Sequence, residues 1–343
     1  MRIQHSNPNF PDHLDICPST NSTISSNFSQ SDHSRSVNEQ DQDAFGVVAQ
    51  QRSIQIYGIA GRVWEAAYFM NIYLDHHPSW EFEPSLLDGN CTKHPLTFIE
   101  LGSGTGIVSA QISRSISLTE RDLVIATDLP DVCPLLERNL HDLLKDRTDT
   151  FTSSNNVVLV RPLSWGNHEH ALSIAHELEL TMSNANPRYI THIICSDLVY
   201  FPELLGPLLR SLIHLSSPPF ISSDYAKVVI SYKIRSLSKE ADFWSAFGLW
   251  FSFEPVGFRP KGSEKQSNHN GWTRFGPSGE QTFVFVAHRR PESFNWDVPD
   301  NDQDLIGGIG ANGTLTRKGD DTFETFLFMS MIDDETDADI KEA

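Results

Sequence analysis

The residues of this 343-residue chain best suited to chemistry are carboxylates and a phenol set around a glycine turn. Thr97 to Ile107 reads TFIELGSGTGI, with Gly102, Gly104 and Gly106 alternating with Ser103 and Thr105, and Glu100 two residues before the first glycine. A strand that runs through such a turn into a helix leaves backbone N–H groups open to an extended, polar ligand. Glycine is needed there because a side chain would hold the ligand off the backbone, and because turn angles with φ > 0 exclude most other residues. Asp128 follows Gly102 by 26 residues and ends the run LVIATD. A carboxylate there can accept two hydrogen bonds from ribose hydroxyls. It could equally cap the helix that begins near Pro130. Asp197 and Tyr200, in SDLVY, follow another apolar run. They are candidates for the same strand-end edge as the glycine turn, or for a helix cap and a core aromatic.

The spacing selects among ligands. Dinucleotide sites use G-x-G-x-x-G. Here the pattern is G-x-G-x-G, which disfavours a nicotinamide dehydrogenase, and Glu100 is a poor neighbour for a pyrophosphate. Glu100 suits a ligand with no phosphate, a cationic centre and free hydroxyls, and S-adenosylmethionine (AdoMet) is such a ligand. Trp64, just after Gly61-Arg62, could wall the bound cofactor or serve as a core aromatic. Trp165, at the end of NVVLVRPLSWGN, can pack against an adenine ring.

These residues must be positioned by alternating strands and helices. Val63, Ala66, Ala67, Met70 and Tyr73 recur at helical spacing. The runs TFIEL, LVIATD, NVVLV, IICS and AKVVISY read as buried strands of a parallel sheet. VCPLLERNLHDLL, FPELLGPLLRSLIHL and SKEADFWSAFGLW read as helices, and WFSFEPVGF and QTFVFVAHR as two closing strands of antiparallel type. FGVVAQ and SIQIYGI, with β-branched residues at about period two, suggest a strand pair. HEHALSIAHELEL suggests a polar helical insertion. Its His168, His170 and His176 do not share one helix face with a carboxylate, so no metal site is expected.

Composition bounds the rest. The net charge is −19, with 14 acidic against 4 basic residues from Arg290 to Ala343. That acidity argues against binding a nucleic-acid backbone. Residues 1–43 are polar and should be disordered or loosely attached, residues 44–290 should form one domain, and residues 291–343 read as an acidic, low-complexity, solvated tail. Four cysteines without a C-x-x-C pair suit a reducing compartment. No apolar leader or run long enough to span a membrane is seen, so a cytoplasmic monomer is expected.

The motifs VWEAA, FIELGSGTGI, ATDLP, LSWG and SDLVY with FPELL, in this order over residues 50 to 290, resemble the seven-β-strand AdoMet-dependent methyltransferases. More narrowly they resemble the non-SET protein-lysine methyltransferases of the methyltransferase-like family 16 group. The resemblance implies a Rossmann-like α/β fold: a seven-stranded, mostly parallel sheet with an antiparallel closing strand and helices on both faces. It implies that Trp64, Gly102, Ser103, Gly104, Asp128, Trp165 and Ser196 contact AdoMet. It also implies that Asp197 and Tyr200 match the family's D-x-x-Y motif, between methyl donor and target amine. A protein substrate bearing a lysine follows, with a translation elongation factor as a candidate. A methyltransferase acting on another residue or a small molecule, and an AdoMet-binding adaptor without catalysis, are the alternatives. Extra residues between VWEAA and the glycine strand, and at 167–189 and 258–280, depart from the pattern on surfaces where substrate choice would be set.

Overall fold

Strand residues alternate between two apolar layers, and that alternation decides where the helices lie. Ile99, Ile125, Ile193, Val228 and Phe285 belong to one buried cluster, while their neighbours Phe98, Val124, Ile194, Val229 and Val284 belong to the other. A sheet apolar on both faces must be covered on both faces. The computed structural model describes residues 9–11, 14–20, 44–75, 79–87, 95–115, 122–148, 158–178, 188–221, 226–261, 272–276 and 281–330.

In chain order the helices are α1 (Val47–Tyr57), α2 (Glu65–Leu74), α3 (Ile107–Ser115), α4 (Cys133–Thr148), α5 (His168–Glu177), α6 (Pro202–Leu215), α7 (Leu237–Trp250) and α8 (Asp302–Ile306), with a further helix over 322–330. The strands are β1 (Trp80–Glu83), β2 (Thr97–Leu101), β3 (Leu123–Asp128), β4 (Val158–Pro162), β5 (His192–Ser196), β6 (Lys227–Lys233), β7 (Phe251–Pro255), β8 (Gly257–Pro260), β9 (Thr273–Arg274) and β10 (Thr282–Arg289). Seven strands form one sheet in the order β4-β3-β2-β5-β6-β10-β7. β4, β3, β2, β5 and β6 are mutually parallel, and β10 runs antiparallel to both β6 and β7. The closing strand is therefore β10, and β7 points the same way as the parallel five. This is the expected α/β sheet. Residues of α5, α6 and α7 build the first cluster, and those of α2, α3 and α4 the second.

Five expectations fail locally. The strand pair expected in FGVVAQ and SIQIYGI is the helix α1, whose Gln50 and Ser53 are buried while Val47, Val48 and Ile56 are exposed. The β-branched residues gave the wrong period because a polar side chain anchors the helix. Gln50 accepts from the N–H groups of Ser19 (3.0 Å) and Val63 (3.1 Å) and donates to the carbonyls of Ser19 (3.0 Å) and Phe45 (2.7 Å). The same knot corrects the loose N-terminal segment for its described part: Ser19 is buried and its hydroxyl donates to the Val63 carbonyl. Residues 21–43 lie outside the described residues. The polar insertion after LSWG contains α5, which buries Ala171, Ile174 and Ala175. It is thus a packed crossover helix between β4 and β5, and residues 179–187 lie outside the described residues. Finally, residues 291–330 are not a solvated tail. Leu305, Ala311 and Phe323 are fully buried in the first cluster, and residues 331–343 lie outside the described residues. WFSFEPVGF also splits at Val256, after which β8 joins β1 and β9 in a separate three-stranded sheet.

Candidate active site

Parallel strands bring their carboxyl ends to one edge, and loops there can converge on a ligand. At that edge, beyond β2, β3, β5 and β6, lies a cavity of about 470 Å³. Ligand pockets typically enclose roughly 300–1,000 Å³. All ten residues singled out from the sequence line it: Trp64, Glu100, Gly102, Ser103, Gly104, Asp128, Trp165, Ser196, Asp197 and Tyr200.

The glycine turn is held by its neighbours. Gly102 and Gly104 adopt φ of 56° and 53°. A Cβ on Gly102 would lie 2.8 Å from Leu198 Cδ2 and 3.0 Å from Trp165 Cζ2, and one on Gly104 would lie 3.1 Å from the Ala60 carbonyl oxygen. The absence of side chains is thus required by the fold as well as by any ligand. Ser103 ties the turn to β3: its N–H donates to the Thr127 carbonyl (2.9 Å), and its hydroxyl accepts from the Thr127 N–H (3.1 Å).

That tie sets Asp128 beside Gly104. Asp128 Oδ2 accepts from the Gly104 N–H at 2.8 Å, and Oδ1 from its neighbour Leu129 at 2.7 Å. It does not cap α4, so the cap reading of this residue is set aside in favour of the cavity. Burial pushes Asp128 up to about 6, against the pull of those two N–H groups.

Glu100 serves the fold as well as the cavity. Its Oε2 accepts from the Ser109 N–H at 3.0 Å and from the Ser109 hydroxyl, which fixes the first turn of α3. Burial pushes its carboxyl up to about 7, with the hydrogen bonds from Ser109 and Ser103 opposing and Asp128 adding to the rise. An acid whose folded pKa lies above its unfolded value of about 4.3 contributes stability that is present below that value. This contribution is lost as pH rises through about 7. Glu100→Gln is therefore expected to raise the melting temperature of the ligand-free protein at pH 8 and to change it little at pH 4.5. Thermal unfolding across that range checks the sign.

Aromatic groups wall the cavity. Trp64 is the N-cap residue of α2, and its Nε1 donates to the Ile59 carbonyl at 3.0 Å. Two guanidinium carbons, those of Arg62 and Arg235, lie 4.5 Å and 5.1 Å from its ring centroid. Trp165 meets Tyr200 edge to face at 6.4 Å, and Tyr200 meets Phe201 at 4.7 Å. Burial raises the Tyr200 phenol well above its ordinary value, with Asp128, Asp197 and Glu203 adding to the rise. Ser196 accepts a hydrogen bond from Ser231 at 3.0 Å across the β5–β6 pair.

Asp197 is the most constrained of the set. Its φ is 62°, a left-handed conformation that a non-glycine residue adopts only when its surroundings enforce it. It does not cap α6, whose N-cap residue is Phe201. Its side chain is 0 % exposed and forms a two-pronged ion pair with Arg235. Sequence reasoning missed Arg235, although its place two residues beyond β6, on the same strand-end edge, was a usable signal. It also missed Asn9 and Leu14, which line the cavity from the N-terminal segment. The polar composition of that segment hid them.

Residues 43–247 match the model of a lysine methyltransferase family. A protein N-lysine methyltransferase, METTL21A, of Xenopus tropicalis is 27 % identical over 203 residues, covering 58 % of this chain and 72 % of the relative. The protein-lysine N-methyltransferase EFM6 of Saccharomyces cerevisiae is 29 % identical over 175 residues, covering 50 % of this chain and 65 % of the relative. EEF1A lysine methyltransferase 3 of Xenopus tropicalis is 29 % identical over 169 residues, covering 48 % and 58 %. For the latter two the chain thus spans less than two thirds of the relative's length. The family match contains the glycine turn, Asp128, Trp165, Asp197, Tyr200 and Arg235, and the chain belongs to the lysine methyltransferase family.

Proposed function

We propose that the protein transfers the methyl group of AdoMet to the side-chain amine of a lysine in a protein substrate. The observation that carries this reading is the placement of Asp197 and Tyr200 on the same cavity as the glycine turn and Asp128. The residues present fit AdoMet. Asp128 offers a carboxylate to ribose hydroxyls, Gly102 and Gly104 bring side-chain-free turn residues to the cavity wall, and Trp64 and Trp165 supply flat apolar walls. AdoMet, when bound, supplies an electrophilic methyl group on a sulfonium.

The chain's own residues would do the rest. A lysine amine has an ordinary pKa of about 10.4 and must be neutral to attack. Trp165, Tyr200 and Phe201 desolvate the acceptor end, which favours the neutral amine. Asp197 accepts a hydrogen bond from that amine and aims its lone pair, so the main contribution is positioning. The Tyr200 ring favours the cation that forms on the amine. Two of the relatives' names specify protein lysine methylation and a third specifies EEF1A. A translation elongation factor is therefore the first substrate to test.

The deciding experiment incubates the purified protein with labelled AdoMet and a cell lysate, then maps labelled sites by mass spectrometry. Label on a lysine of a protein band is expected, and label found only in small molecules overturns the reading. Asp128→Ala is expected to weaken AdoMet binding by about 1.5–3 kcal/mol, roughly 10- to 150-fold, as a charged hydrogen bond is lost. Calorimetric titration measures it, and an unchanged affinity would leave Asp128 as a fold element that merely pins Gly104.

A further inference from the structure

A carboxylate beside the target amine creates an electrostatic conflict. It orients the amine, yet an unbalanced negative charge within about 4–6 Å would stabilise the ammonium and raise its pKa. Asp197 is the carboxylate in question, and its charge is matched at close range. Arg235 Nη1 donates to Oδ1 at 2.6 Å and Nη2 donates to Oδ2 at 2.5 Å. The Lys233 N–H adds a long contact to Oδ1 at 3.5 Å. Each carboxylate oxygen has two acceptor positions, so Asp197 keeps capacity for a further donor.

The neighbouring elements hold Arg235 in that place. Glu65 on α2 lies 3.3 Å from Arg235 Nη2, and it also pairs with Arg62. Glu240 on α7 accepts from the backbone N–H of Arg235 at 3.3 Å, of Ser236 at 3.0 Å, and from the Tyr232 hydroxyl at 2.5 Å. The Arg235 loop is thus pinned by a buried carboxylate, and its head group is pinned by two others. Burial opposes the Arg235 charge, but the bond to Asp197 and the attraction of Asp197, Glu65 and Glu240 hold its pKa above the ordinary arginine value. The other charges facing this end are Lys233, which acts on Glu65, Lys239 on the cavity wall, and Glu203 and Asp128, which act on the Tyr200 phenol.

We propose that Arg235 is a positioning residue for methyl transfer: it locks the Asp197 carboxylate and balances its charge, so that Asp197 can orient the target lysine without holding it protonated. This rests on Asp197 facing the acceptor amine, as proposed above. Lysine at 235 would keep the charge but lose the planar fork that grips both oxygens.

The test measures the initial rate of label transfer from AdoMet into lysate protein between pH 6 and 10, with AdoMet affinity determined by calorimetry in parallel. Wild type, R235Q, R235K and E65Q are compared. R235Q is expected to move the acid limb of the rate profile to higher pH by about one unit or more, with activity partly recovered at alkaline pH. R235K is expected to keep the wild-type midpoint with a lower plateau. E65Q leaves a surplus positive charge and is expected to move the midpoint to lower pH. It also carries the test if R235Q does not fold, because Glu65 is partly exposed. Midpoints that coincide with wild type in R235Q and E65Q overturn the proposal, as does loss of AdoMet binding in R235Q. A wild-type protein that labels no protein lysine at any pH overturns the functional reading itself, which is a separate result.

Discussion

Asp197→Ala is expected to abolish labelling of the protein substrate while AdoMet still binds. The carboxylate sits at the end of β5, fully buried, in a backbone conformation the surroundings must enforce. Its loss removes the carboxylate proposed to accept from the target amine, and misplacing a reacting atom by about 1 Å can cost on the order of 100-fold in rate. A decrease of at least roughly that size is therefore expected. Removing one partner of a buried ion pair also threatens stability, by about 3–5 kcal/mol in fully buried cases. Here the penalty is tempered, because Arg235 is 28 % exposed and retains Glu65 at 3.3 Å. Asp128, at the proposed ribose end, is held by the N–H groups of Gly104 and Leu129, whereas the Asp197 carboxylate is held by Arg235 and the Lys233 N–H, so the two carboxylates have separate partners. The check is paired: label transfer into protein and calorimetric AdoMet affinity on the same folded preparation. Full activity would remove Asp197 from the mechanism. Loss of both activities would mean that it holds the cavity together and does not address the substrate.

The parts of this site that were legible in the sequence are those where one residue type is forced by backbone geometry or by a strand end. Gly102 and Gly104 need positive φ, and Asp128 and Asp197 end buried strands, so composition and spacing betray them. Arg235 was less legible because its role depends on meeting Asp197, 38 residues away, across the β5–β6 pair. The N-terminal segment was illegible for a related reason. Ser19 and Gln50 satisfy each other's polar groups in a buried knot, and polar residues that pair in three dimensions look solvated in one. α1 was misread because period two and period 3.6 are hard to separate in a short run, and its outward apolar face points the pattern the wrong way. The fold class survived all of these, because five apolar strands separated by helical patterns admit few arrangements.

The acidic C-terminal region makes the sharpest case, because net charge there concealed a few decisive aromatic contacts. Phe323 is fully buried and stacks on Trp244 at 4.8 Å with an interplanar angle of 11°. It also lies 6.0 Å from both Tyr232 and Phe285, so one side chain from this region touches α7, β6 and β10. Trp296 packs on Trp250 at 5.3 Å, and Arg210 on α6 donates to Asp302 at 2.9 Å, which docks the segment along two helices. Truncating a buried phenylalanine to alanine costs about 3–5 kcal/mol. Phe323→Ala is therefore expected to lower the melting temperature by roughly 2–4 °C for each kcal/mol lost. Leu315→Ala, at a side chain 90 % exposed in the same region, is expected to change little. Equal melting temperatures for Phe323→Ala and wild type would return the segment to the solvated tail its composition suggests. The consequence should reach the site as well. Tyr232, which packs on Phe323, donates to Glu240 at 2.5 Å, and Glu240 holds the backbone of Arg235 and Ser236. Loosening Phe323 should therefore weaken label transfer more than AdoMet affinity, since the path leads to the acceptor end of the cavity and not to the glycine turn.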